Sequence, residues 1–248
     1  MKLKKNRILL FVILVQVSCA PLKVTSQKAY NEVVLYENAI FDSMCPDSNK
    51  VYANLVSINA QNGNLIRKDI NGEEYILVVT WKQNISFYKP YLDSTFYNTG
   101  AYPIWVTTAP ELLQRMKGEI YTDKNVRLKQ LLGLPPNAVY SYFVEFWVKP
   151  SDLFRPCPDK EVTDKVCDLC FPAQTDPSHI SWINSNRIDR YYQCDLYNKY
   201  PWSQLGYTYD WNPDNKSHVG LSEFVIGSNK NIAVKAIYTT EEYLKKSF

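Results

Sequence analysis

The chain has 248 residues, of which 21% are charged and 14% aromatic, and it carries 28 basic and 25 acidic side chains. Four of the bases, Lys2, Lys4, Lys5 and Arg7, precede residue 8; the remaining 24 face 25 acids, so no basic stripe is left to follow a phosphate backbone, which excludes a nucleic-acid partner. About 220 residues beyond that start, rich in large rings and without repeats or low-complexity tracts, suit one sizeable core rather than a solenoid or a disordered chain.

In chain order, the cationic start is followed by ILLFVILVQV, Ile8 to Val17. This apolar run is about half of the roughly 20 residues that span a bilayer, so residues 1–19 read as a signal peptide. Val17-Ser18-Cys19 resembles the end of a bacterial lipobox, with Gln16 where leucine is usual, and makes Cys19 the expected lipidated residue. Ordinary cleavage after Ala20 is the alternative, with Pro21 just beyond the cut. The chain is therefore expected in the cell envelope, lipid-anchored to a bacterial membrane, or secreted if Cys19 carries no lipid. Residues 20–31 read as a polar tether and residues 32–248 as one domain.

Residues 51–58 (VYANLVSI) and 74–81 (EYILVVTW) are rich in β-branched and aromatic side chains, are separated by the turn signals NGN and NGE, and read as neighbouring strands. Residues 102–108 (YPIWVTT) read as a third strand running into a helix that starts at Pro110. Val126, Leu128, Leu131 and Leu132 have the spacing of a short amphipathic helix ended by Gly133. Residues 141–148 (SYFVEFWV) read as a central strand, whose Glu145 either faces solvent or is paired inside. Asp176-Pro177 starts a long helix running to about Tyr192, with aspartate capping free amides and proline in the first turn. Residues 223–226 and 232–238 read as a final hairpin over GSNKN, followed by a helix capped by Thr240. Strands and helices are interspersed without a βαβ rhythm. The expected class is α+β, a single domain with a mixed or antiparallel sheet and a few short helices.

Six cysteines stand at 19, 45, 157, 167, 170 and 194. Cys157, Cys167, Cys170 and Cys194 are the candidate disulfide set in an oxidising envelope, with Cys157 joined to Cys167 or Cys170, the other of that pair joined to Cys194, and Cys45 left as the odd thiol. The same four match a tetrahedral zinc site poorly, since only Cys167 and Cys170 have a metal-type spacing. No metal and no cofactor are expected. Arg155, stiffened by Phe154 and Pro156, is expected to be buried and paired with Asp159, Asp168 or Asp210.

Nucleophile motifs are absent: there is no G-x-S-x-G, H-E-x-x-H or P-loop, and the histidines are His179, in the long helix, and His218, in a polar loop. The densest aromatic stretch is YPWSQLGYTYDW, residues 200–211. Trp202, Tyr207, Tyr209, Asp210 and Trp211, with His179, are the candidate binding residues, because rings with polar edges suit sugars, nucleotides or peptides. The same rings also suit the floor of a core beneath the cysteine loop. An unknown ligand or envelope partner is the expected interactor, bound in an aromatic-lined cleft.

FVEFWVKPSDLFRPCPD (143–159), the HISW string, YPWSQLGYTYDW and GLSEFVI (220–226) resemble a family of uncharacterised bacterial proteins, a likeness that implies a shared fold and no particular chemistry. Separately, IWVTTAPELL and LSEFVI followed by IAVKAI are similar to the middle and final motifs of ADP-ribosyltransferase-like domains, whose first motif has no counterpart here. That resemblance implies a secreted enzyme in which Glu223 stabilises an oxocarbenium-like transition state. Glu223, Asp159 and Arg155 are the catalytic candidates if they converge on one substrate atom.

Overall fold

The computed structural model describes residues 20–92, 96–191 and 199–247. They form a single α+β domain whose main sheet has eight antiparallel strands. The chain runs through α1 (Ala20–Ser43), β1 (Arg67–Ile70), β2 (Glu73–Lys82), β3 (Tyr97–Asn98), β4 (Ile104–Thr108), α2 (Ala109–Lys117), α3 (Lys124–Leu131), β5 (Tyr142–Val148) and β6 (Leu153–Phe154). It continues through α4 (Pro177–Tyr191), β7 (Tyr207–Tyr209), β8 (Val219–Ser222), β9 (Phe224–Ile226), β10 (Asn231–Thr239) and α5 (Thr240–Leu244). The sheet order is β3-β10-β5-β2-β4-β9-β6, β1 flanks β2, and β7 and β8 form a separate ribbon.

Local chemistry accounts for several element boundaries. Asn71 and Gly72 both have positive φ and join β1 to β2 in the two-residue hairpin that such pairs favour. Asp123 caps α3 by accepting from the amides of Asn125 and Val126, and Gly133, at φ +63°, ends the turn that follows. Asp176 accepts from the amide of Ser178 at the start of α4. Thr239, and not Thr240 as read from the sequence, caps α5 in a reciprocal box with Glu242. Residues 20–31, read as a tether, are the first half of α1.

Two strand readings are corrected. Residues 51–58 are irregular, because the edge of β2 they were to occupy is taken by β1; their amides reach separate partners instead, Leu55 to Lys165, Val56 to the Ser222 hydroxyl and Ile58 to Val162. The strands β9 and β10 are not a hairpin. β9 pairs with β4 and β6, while β10 pairs with β5 and β3, four places away in the order. In a flat sheet that separation is about 19 Å, slightly more than the roughly 17–18 Å that the five steps from Ile226 to Asn231 can span when fully extended. The link contains a turn at Asn229 (φ 56°), so the sheet is strongly curled.

Alternation of side chains along the strands gives the sheet a core on each face. Ile76, Val78, Val144, Phe146, Ile104, Val106, Phe224, Ile226, Ile232 and Val234 pack together on one face, beneath irregular chain carrying Ile58, Ile85 and Tyr88. On the other face, Tyr75, Leu77, Val79, Trp81, Phe143 and Trp147 meet Leu112, Leu113 and Met116 of α2, Leu128 and Leu131 of α3, and Tyr243 of α5. Glu145 projects from β5 fully buried and is paired inside, its carboxylate 3.0 Å from Lys235 and 2.5 Å from Lys246. A bulge in β10 makes Lys235 the extra residue opposite it.

Cys157 and Cys167 form a disulfide across a separation of ten residues, which contributes about 3 kcal/mol by restricting the unfolded chain. Cys170 and Cys45 are exposed and free among the described residues, so the expected pairing of Cys157 is with Cys167. Cys19 and Cys194 lie outside the described residues. Among the described residues, no helix is long and apolar enough to cross a membrane.

Candidate functional site

The ladder between β2 and β4 consists of two pairs, Val78 with Thr108 and Val79 with Thr107. Beyond them the strands part: Thr80 to Lys82 stay with β5, and Ile104 to Val106 stay with β9. A cavity of about 390 Å³ fills this wedge, within the range of small-molecule sites. The chain after α3 (Leu132 to Leu134), the end of α4 (Arg190), residues 200–202, and Thr208 and Tyr209 complete its walls.

The walls are largely aromatic. Trp81, Trp105, Tyr140, Tyr200 and Trp202 line them. Trp81 donates its indole N–H to the Thr240 hydroxyl at 2.9 Å and Trp202 donates to the Pro156 carbonyl at 3.0 Å, so both rings are held by their polar edge. Trp105 packs edge-on to Trp202 with centroids 6.1 Å apart, and Trp182 of α4 backs both. Burial, with a contact to Tyr200, pushes the Tyr140 hydroxyl up to about 12.

Three charged residues enter this apolar space. Arg190 has its guanidinium carbon 5.2 Å from the Trp105 ring centre and 4.8 Å from that of Tyr200, and its buried Nε has no hydrogen-bond partner among the described residues. Burial lowers the Lys82 ammonium below its usual range. Burial pushes the Glu223 carboxyl up to about 8, with Arg190 nearby opposing the rise. Glu223 precedes β9, where its amide donates to the Gly206 carbonyl at 2.9 Å.

Of the residues expected from sequence, Trp202, Tyr209 and Glu223 border this cavity. The others do not. The Tyr209 hydroxyl itself is committed to Asp42 at 2.8 Å, and its ring stacks on His218. Tyr207 borders a smaller hollow beside Glu111 and donates to the Lys50 carbonyl. Trp211 is buried against Tyr36 of α1 and donates to Leu134. His179 is 6% exposed, engages the Cys157 carbonyl at 2.8 Å and stacks on Trp182. Asp210 is fully buried in a bidentate pair with Arg127, at 2.9 and 2.7 Å, and also accepts from Asn215. These side chains hold the scaffold.

Arg155 is fully buried, as expected, but no carboxylate pairs with it among the described residues. Its guanidinium donates to the carbonyls of Val56 (3.0 Å) and Asp164 (2.7 Å) and lies 5.1 Å from the Phe224 ring. Two of its nitrogens have no hydrogen-bond partner, and burial lowers it to about 10. The expected partner Asp210 is taken by Arg127, and Asp168 is exposed. Asp159 lies with Glu161 and Asp164, their carboxylate oxygens within 4.8 Å of one another. Arg155 and Asp159 thus belong to the cysteine loop, on the Phe224 face of β9, while Glu223 borders the cavity. The three catalytic candidates do not converge.

Among the charged and aromatic wall residues, sequence reading missed Trp81, Lys82, Trp105, Tyr140, Tyr200 and Arg190. Trp81 and Lys82 end β2, Trp105 lies within β4, Arg190 is near the end of α4, and Tyr140 and Tyr200 lie in connecting chain; the only signal available was that Tyr200 belongs to the dense aromatic stretch. No family model, curated protein or solved structure matches the chain.

Proposed function

We propose that the chain is the ligand-binding domain of a cell-envelope lipoprotein, anchored through Cys19, with the wedge between β2 and β4 as its binding site. The observation that carries this reading is the cavity: six aromatic residues line a space that is also bordered by Lys82, Arg190 and Glu223. Arg127 and Asp210 of the scaffold pair with each other, whereas Lys82 and Arg190, which border the cavity, have no ion-pair partner among the described residues. A site of this composition orients a small molecule by a few polar contacts and holds it by apolar area.

Binding is favoured over the alternative, an ADP-ribosyltransferase-like enzyme. In that mechanism Glu223 would supply negative charge to a cationic transition state, but a carboxyl that keeps its proton to about pH 8 donates a hydrogen bond instead. The test is a thermal-shift screen of small metabolites against the native domain and a Leu132→Trp variant, in which the half-buried wall residue Leu132 is enlarged to fill the cavity. Compounds that raise the native melting temperature should leave the filled variant unmoved. Equal shifts in both proteins, or no shift of the native protein across the screen, would overturn the reading.

A further inference from the structure

Among the described residues, two cations border the cavity, Lys82 and Arg190, and its one acid, Glu223, keeps its proton at neutral pH. Neither Lys82 nor Arg190 has a carboxylate within ion-pair distance among the described residues, in contrast to Arg115, Arg127, Lys235 and Lys246, each of which has one. The Arg190 guanidinium also lies against the rings of Trp105 and Tyr200, with a buried Nε that lacks an acceptor among the described residues. A buried donor left without an acceptor is costly, and a guanidinium pairs strongly with carboxylate or phosphate, which it can bind through two parallel N–H groups. The remaining walls offer ring faces and the polar groups of Tyr140, Tyr200 and Glu223.

Resting on the binding function argued above, we propose that the ligand is an acidic monosaccharide, its anionic group held by Arg190 and Lys82 and the apolar face of its ring laid against the aromatic wall. The carboxyl of Glu223, which keeps its proton at neutral pH, can both donate to and accept from a sugar hydroxyl without repelling the ligand's charge. A cavity of about 390 Å³ accommodates one such ring with its substituents.

The experiment measures binding of four probes by calorimetry at pH 7: D-glucuronate, D-glucose 6-phosphate, D-glucose and benzoate. The proposal expects at least one of the two acidic sugars to bind tenfold or more tightly than glucose and than benzoate; which one does so identifies the anion as carboxylate or phosphate. In Arg190→Met and in Lys82→Met, each first shown to melt near the native temperature, that preference should fall to within threefold of glucose, and Arg190→Lys should recover part of it. Glucose binding as tightly as the acids would overturn the anionic contact while leaving the cavity as a binding site. Benzoate binding as tightly as glucuronate would overturn the sugar. An acid preference that persists in both methionine variants would place binding elsewhere. No binding by any of the four would overturn the proposal, and the metabolite screen with the filled variant then decides separately whether the cavity binds anything.

Discussion

Glu223 shows how one buried acid can link stability to pH. Its carboxyl keeps a proton to about pH 8 in the folded chain, against an ordinary value of 4.5, because burial removes the water that would solvate its charge. Between those two values the folded state binds more protons than the unfolded state, so the contribution is complete below about pH 4.5 and is lost as pH rises to 8. Glu111, raised to about 7 by burial despite hydrogen bonds from Ser222 and Thr107, acts in the same direction. We predict that Glu223→Gln matches the native protein near pH 4 and becomes progressively more stable relative to it up to pH 8, by at most about 1.4 kcal/mol per pH unit, then levels off. Chemical denaturation of both proteins across this range measures the difference. A pH-independent difference would mean that Glu223 ionises normally.

At the scale of elements, the site depends on close approach between α3 and the β7–β8 ribbon. The Thr208 hydroxyl donates to the Leu131 carbonyl at 2.7 Å and accepts from the Leu221 amide at 2.8 Å, which leaves no room for a side chain at Gly220. A Cβ there would lie 2.7 Å from the Leu131 carbonyl oxygen and closer still to Thr208. Overpacking of this kind typically costs about 1–3 kcal/mol. Gly220→Ala is therefore predicted to lower the urea midpoint by an amount in that range, and to weaken cavity ligands because Thr208 belongs to the wall. A midpoint within error of the native one would show that the ribbon can move away from α3.

At the scale of the whole molecule, α1 joins the expected anchor to the domain. It spans 24 residues, about 36 Å at 1.5 Å per residue, and its buried residues Tyr36, Ala39 and Ile40 pack against Tyr209 and Trp211. A lipid at Cys19 would thus meet a helix rather than a loose tether. Two or three acyl chains, with each buried methylene contributing about 0.8 kcal/mol, make such an anchor durable. Cys19→Ala is predicted to move the protein from the membrane fraction to the soluble fraction without changing its melting temperature, because Tyr36, Ala39 and Ile40, which pack α1 on the domain, lie well beyond the substitution. Membrane retention of the variant, or a native N-terminus beginning after Ala20, would rule out the anchor.

Elements with strong local chemistry were legible in the sequence. β2, β4 and β5 carry long β-branched and aromatic runs, α2 has its proline at the start, and α4 has aspartate before proline, so each appears near its expected place. The burial of Arg155 and the covalent closure of the cysteine loop were also legible, because flanking prolines and clustered cysteines restrict the chain before it folds. Pairing was not. Whether Ile226 and Asn231 begin a hairpin or join distant strands depends on the curl of the whole sheet, and whether Asp210 meets Arg155 or Arg127 depends on which guanidinium packing brings closer. The site belongs to the second kind of feature. Lys82, Trp105, Arg190 and Glu223 are separated along the chain and meet only because β2 and β4 part after two residue pairs, and no local preference of either strand encodes where it loses its neighbour.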